Sequence, residues 1–392
     1  MVQPQSASRN ASLSAPLGVS LLLTSALLAA CGGGGDSGSA GGTAAGNTPA
    51  AMTVAPTPAA VPRPATGVAP APAPAPAPGA LPAPVPAPSS GFASTIQTTV
   101  PAPTYPAGSG LRAAFDLLND ERARCGFGRY RQNARLDQAA ADHSRWMSLN
   151  LTRDHFQDGT RFPNGFTGVT SIDRAAARGY APASVGEDFV YASHLPERAV
   201  QAAQSWLRAL LSAPLHMSSL MGFQRDVGIG SVQRRDLGLM DNNLQFLAPL
   251  VFNLGRLESE VPAQVGSGEI VTYPCEGTTG VFPGVYGEEP NPIPGRDLAT
   301  KPIGPGILIR GRFFSDMVLT SFSLRETSTG IPVAVVAPLT RTTNPSAGPG
   351  SVMLIPDTIL KDNTRYTVSA NGTLDGVAFS RTFTFTTGAF FQ

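Results

Sequence analysis

From Gly32 to about Pro106 the chain has no apolar period on which a fold could be built. The tract opens "GGGGDSGSAGG" and passes into "APAPAPAPAPGALPAPVPAP". Glycine and serine leave a backbone flexible, and Ala-Pro repeats favour extended polyproline II at about 3.1 Å per residue. Such sequence buries too little apolar surface to offset the entropy of ordering it. Residues 31–107 are therefore expected to be a disordered Gly/Ser/Ala/Pro-rich linker. The folded part must come from the residues C-terminal to it. Of 37 prolines 17, and of 42 glycines 11, fall between Gly32 and Pro106, so much of the excess marks a tether and not an unusual fold.

The segment ahead of the tract reads as an export signal. Arg9 precedes a mostly apolar run from Leu17 to Ala30, about 14 residues long and too short to cross a bilayer core of about 30 Å. The run ends Leu28-Ala29-Ala30-Cys31, which resembles a bacterial lipobox. That resemblance makes residues 1–30 a lipoprotein signal peptide and Cys31 the lipidated new N-terminus. An ordinary signal peptide with an Ala-x-Ala-like site is the alternative. Gly32 follows Cys31 where an acid would hold a lipoprotein at the inner membrane, so the outer membrane or cell surface is expected. Acyl chains supply about 0.8 kcal/mol per buried methylene, and several together anchor stably. With Cys31 so used, Cys125 and Cys275 remain. In an exported chain they read as a disulfide, with two buried thiols as the alternative.

The formal net charge is +1 and only 14% of residues are charged, with no clustered basic face. Nucleic acid is not an expected partner. The folding region itself has two rhythms. "SGLRAAFDLLNDERARCG", "NARLDQAAADHSRWMSLN", "SIDRAAARGY" and "PERAVQAAQSWLRALL" place apolar residues at helical spacing. Ser109 is suited to cap the first helix, Gly126 to end it, and Gly179 to close the third. Strands are expected in "RDVGIGSVQR" and "LQFLAPLVFNLG". Residues 258–294 then read as an irregular connector rich in Gly and Pro. From about Gly295 short β-branched or aromatic runs alternate with turn residues, the pattern of an all-β sandwich. The overall class is α+β.

Seven strings in order from about Leu111 to Gly230 resemble the CAP superfamily of cysteine-rich secretory proteins, antigen 5 and pathogenesis-related 1. They are "LLNDERARCGFG", "LDQAAADHSRWM", "RDHFQDG", "AAARGY", "VGEDF", "AVQAAQSWLRALLSAPLHMSSLM" and "DVGIG". The resemblance implies that residues 108–257 form a CAP (SCP) domain, a three-layer α-β-α sandwich with a central cleft. In that family two histidines and one or two glutamates converge there, and some members bind zinc or another divalent metal. Carried over by motif, the cleft residues are His155, Glu187 and His216. Asp188 stands where the motif has asparagine. The helix of Trp206 offers Leu207, Arg208 and Ala209 where a second glutamate would fall. Residues 295–392 resemble a bacterial Ig-like domain, with Tyr366 near the corner where such domains place a bonding tyrosine.

Two neutral imidazoles, a carboxylate and a water make a sound zinc site, and a metal-bound water can be activated for hydrolysis. The other reading of the same residues is a polar, hydrogen-bonded cluster that holds loops together. His143 lies on a helix stripe and is expected to be packed and hydrogen-bonded and not a ligand. His194 is expected to be solvated and Trp206 to belong to the core. Asp158 and Gly159 are expected to make a turn. Three functions remain open. The first is a lipid-anchored binding module for a small lipid or cell-wall ligand. The others are a metal-dependent hydrolase of peptide or peptidoglycan, and a structural surface protein.

Overall fold

The first three helices each start where a side chain takes up an unpaired amide. In the computed structural model, which describes residues 91–389, α1 (Gly110–Arg124) begins with the Ser109 side chain accepting the amide of Arg112. It ends at Cys125, and Gly126 follows at φ 82°. α2 (Ala134–Asn150) is capped by Asn133. α3 (Ser171–Ala177) has a reciprocal capping box between Thr170 and Asp173. A short 3₁₀ turn at Pro196–Arg198 leads into α4 (Ala199–Ser212). α5 (Pro214–Leu220) starts on Pro214, whose missing N–H costs nothing in a first turn. The expected signal peptide, Cys31 and most of the expected spacer lie outside the described residues.

The helices flank a sheet of β1 (Arg131–Gln132), β2 (Pro182–Ser193), β3 (Asp226–Ser231) and β4 (Leu247–Leu257), in the order β1-β3-β4-β2. β1 runs parallel to β3, and the other pairs are antiparallel. Side chains alternate across a strand. Phe189, Tyr191 and Val251 accordingly pack with Trp146 and Met147 of α2, and Val185 with Ala175 of α3. Val190, Ala192, Phe252 and Leu254 join α1, α4 and α5 on the other face. Gly228 and Gly230 of β3 let α2 lie close. A Cβ at either position would run into the α2 backbone at Leu136–Asp137 or Ala140–Ala141.

Two further sheets complete the chain. Their strands are β5 (Val271–Tyr273), β6 (Thr278–Val281), β7 (Ile307–Arg310), β8 (Met317–Glu326), β9 (Pro332–Val333), β10 (Ser351–Leu354), β11 (Arg365–Leu374) and β12 (Val377–Thr387). The orders are β10-β7-β5 and β6-β12-β11-β8-β9. The two sheets share an apolar layer that includes Ile307, Ile309, Val352, Val368 and Phe385. The hydroxyl of Tyr366 accepts the amide of Lys361 at 2.9 Å, a bond that ties the corner ahead of β11.

The chain is mixed α and β, and three expectations shift. Residues expected to end the spacer are packed: the Thr95 amide donates to Gln264 O, and Tyr105 is buried with its hydroxyl on Asp137. Isolated apolar residues such as Ile96 and Tyr105 suffice where a surface awaits them. Residues 258–294 supply β5 and β6, so the two-sheet region begins ahead of Gly295. They also supply Cys275, which forms a disulfide with Cys125. One apolar cluster runs from Phe115 and Leu207 through Tyr273 and Val285 to Leu308 and Met353, with no break at the expected connector. Among the described residues no helix is long and apolar enough to cross a membrane.

Candidate functional site

Glu187 is not in a loop. It sits within the long strand β2, opposite Asn253 of β4, because Val185, Phe189, Val190 and Tyr191 give the segment buried side chains on both faces. Its side chain points to the α2/α3 face. Oε1 accepts from His155 Nδ1 at 2.9 Å and lies 3.4 Å from His143 Nε2. Oε2 accepts from Arg174 Nη2 at 2.6 Å. With the Asn253 amide oriented to satisfy both of its ends, its nitrogen also donates to Oε2 at 3.0 Å and its oxygen accepts from the Ala140 amide. Burial alone would raise the Glu187 pKa. The Arg174 guanidinium and the hydrogen bond from His155 outweigh it and hold the carboxyl well below the usual range.

The two histidines on this acid are set differently. Gln157 Oε1 accepts from the Thr167 amide, which fixes the carboxamide so that its nitrogen donates to His143 Nδ1 at 3.1 Å. His143 Nδ1 is then the acceptor, and Nε2 carries the proton toward Glu187. Burial pushes the His143 pKa down to about 3, so the ring is neutral. It stacks on Trp146 at 5.8 Å. His155 lies against Phe189 at 4.7 Å, and its Nε2 is enclosed without a partner among the described residues.

His216 is placed elsewhere. Asp188, the next strand residue, faces the α5 side, and His216 lies on α5 in that layer. The Nδ1 of His216 meets Glu288 Oε1 at 2.8 Å. The same oxygen accepts the amides of Leu215 at 2.7 Å and His216 at 3.0 Å. Glu288 lies 72 residues beyond His216 in the chain. At the other end of α5, Arg310 Nη1 donates to Met221 O at 2.7 Å and its Nη2 to Ser218 Oγ at 2.8 Å. Arg122 of α1 donates to Leu220 O at 2.9 Å. Burial raises the Asp188 pKa to about 6, opposed by His216 and Ser219.

The structure therefore joins His155 to Glu187 and sets His216 beside Glu288. The reason is the two-residue period of β2: neighbours on a strand cannot share a face. Among the described residues no three His, Cys, Asp or Glu side chains are arranged to hold a metal ion. The donor chemistry agrees, because Glu187 Oε1 already takes the imidazole N–H of His155 and Oε2 takes N–H groups of Arg174 and Asn253. His155, Glu187 and His216 do not fit zinc or another divalent metal as one set.

Reading by motif missed Arg174, Gln157, Asn253 and Glu288. His143, expected on its helix stripe to be packed and hydrogen-bonded, is both. His194 is not simply solvated. Its ring lies 5.2 Å from that of Trp206, and Gln233 donates to its carbonyl at 3.0 Å. The two rings form part of the wall of an open cleft of about 320 Å³. Asp158 does make the expected turn, its Oδ1 accepting the amides of Thr160 and Arg161.

No protein-family model matches the chain, and no curated protein does. Solved structures to which it is similar include an outer surface protein from Borrelia burgdorferi, at 13% identity and TM-score 0.29, covering 38% of this chain and 93% of that one. Another is an extracellular protein containing an SCP domain from Bacillus anthracis strain Ames, at 22% identity and TM-score 0.27. That match covers 38% of this chain and 40% of the other. At these scores neither fixes a fold family or an activity.

Proposed function

We propose that the chain is a lipid-anchored, extracytoplasmic CAP-type binding module joined to an Ig-like sandwich, and that its histidine and glutamate cluster is structural. The support for the CAP reading is the ordered set of seven strings together with a four-stranded sheet that carries helices on both faces. The support for the Ig-like reading is the two-sheet core and the Tyr366 corner bond. Anchorage rests on the lipobox-like Leu28-Ala29-Ala30-Cys31 alone.

The observation that carries the non-enzymatic reading is the state of Glu187. Both of its oxygens are taken by protein donors, and His155 Nε2 is shut off from solvent. A general base must reach the proton it removes, and here neither group does. Ligand capture remains, with a small lipid or cell-wall fragment as the class to test. Incubation of the purified chain with peptidoglycan sacculi or envelope lipid should give co-sedimentation without release of soluble fragments. Fragment release that disappears in Glu187→Gln would overturn this reading and restore the hydrolase.

A further inference from the structure

We propose that the cleft walled by Trp206 and His194 binds a short, neutral saccharide. This rests on the reading of the chain as a binding module and names its ligand class. The cleft lies where the start of α1, at Gly110 and Leu111, faces Ala199, Ala203 and Trp206 of α4. The end of β3 closes it with Ser231, and the turn beyond with Gln233, Arg235 and Asp236. Its volume of about 320 Å³ falls at the small end of ligand sites, which span about 300–1,000 Å³.

Trp206 is placed for stacking by its helix position. Ala203, Leu207 and Leu210 take the buried stripe of α4, and Trp206 lies at the edge of that stripe, only partly covered. Its indole N–H donates to no group among the described residues. His194 meets the ring at an angle of 56° and braces one side. Gln233 is buried, and its amide holds the His194 carbonyl. Arg235 and Asp236 are exposed on the rim.

This lining decides among ligand classes. A pyranose has a face of C–H groups that packs on an aromatic ring and an edge of hydroxyls that pairs with planar donors and acceptors. An indole supplies the first, and Arg, Asp and Gln side chains supply the second. One acid beside one base leaves no net field to select an anion. An acyl chain would need a deep apolar channel, whereas this cleft is open and five of its lining side chains are polar: Ser231, Gln233, Arg235, Asp236 and His194.

The test uses tryptophan emission of the purified full chain, titrated with the trimer of N-acetylglucosamine and separately with maltotriose. The chain has two tryptophans and Trp146 is buried, so a ligand-dependent change reports Trp206. A saturable change with at least one of the two trisaccharides is expected. Trp206→Ala should weaken binding at least about tenfold, read by saturation-transfer NMR, and Arg235→Ala about threefold or more. Trp206→Phe keeps an aromatic face and should retain binding if the alanine variant fails to fold. Absence of saturation for both sugars with the folded chain overturns the proposal. So does binding unchanged in folded Trp206→Ala. A response to laurate or to an Ala-Pro peptide without a sugar response also overturns it, while leaving the binding-module reading in place.

Discussion

Replacing Glu187 with glutamine separates a structural acid from a working one. Arg174 and Glu187 are both buried, and their contact is 2.6 Å. The remaining Arg174 bonds go to neutral carbonyls, Val169 O at 3.0 Å and Gly168 O at 3.4 Å. Glutamine keeps the volume and loses the charge, so the guanidinium is left in the interior with no anion. Breaking a buried pair this way costs about 3–5 kcal/mol. At about 2–4 °C per kcal/mol, the unfolding midpoint should fall by about 6–20 °C. The assay is differential scanning calorimetry of the full chain, supported by urea melts read by circular dichroism. Arg174→Met in the same background should recover part of the loss, because it removes the stranded charge. A midpoint within about 2 °C of the parent, or above it, would refute the reasoning. Acids kept for chemistry are often held at the expense of stability, and their removal is then neutral or stabilising.

Other outcomes rest on the same contacts. Glu288→Ala strands the buried amides of Leu215 and His216, at about 1–3 kcal/mol for each unsatisfied group, and faster hydrogen exchange at those two amides would register it. Removing the Cys125–Cys275 bridge, which spans 150 residues, should lower stability by about 2–5 kcal/mol when reduced and oxidised chains are compared in urea. Asp188 gives a pH effect of defined sign. Its pKa is raised from 3.8 to about 6, so the folded state prefers the protonated acid. Its contribution is complete below about pH 4 and is lost as pH rises through 6, at most about 3 kcal/mol. His216 and Ser219 face it, the charges of His155 and Glu187 act on it from the other side of the sheet, and Tyr130 lies within its field. The neutral His143 acts in the opposite sense, losing its contribution as pH falls from 6.5 toward 3. The informative quantity is therefore the difference between Asp188→Asn and parent, which should change between pH 4 and 6 and nowhere else.

The helices were legible because their signals are local. Ser109, Asn133 and Thr170 each begin a helix with their own side chains, and Leu118, Leu136 and Leu207 mark the faces that turn inward. β2 is absent from the expected strands because "GED" looks like loop sequence in isolation. Five flanking positions, Val185, Phe189, Val190, Tyr191 and Ala192, are buried, and burial on both faces gives a strand no alternation to recognise. Glu288 had no signal at all: it lies between Gly287 and Pro290 in a stretch without period, and only the fold brings it to α5.

The placement of the histidines could have been reached from the sequence by one further step. Once "SVGEDFVYAS" is taken as a strand, Glu187 and Asp188 must face opposite layers. His155 follows α2 and precedes α3, so it belongs to their layer, while His216 continues the layer of α4. A single cleft holding His155, Glu187 and His216 then requires the sheet to be crossed at an edge. The chain instead supplies each layer with its own acid: Glu187 for His143, His155 and Arg174, and Glu288 for His216. A motif transfers residue types and order, and it does not transfer the partner of each residue. That partner is set by which face of β2 the side chain leaves from. Here it turns an apparent ligand set into two separate buried clusters, and it leaves Trp206 beside the open cleft.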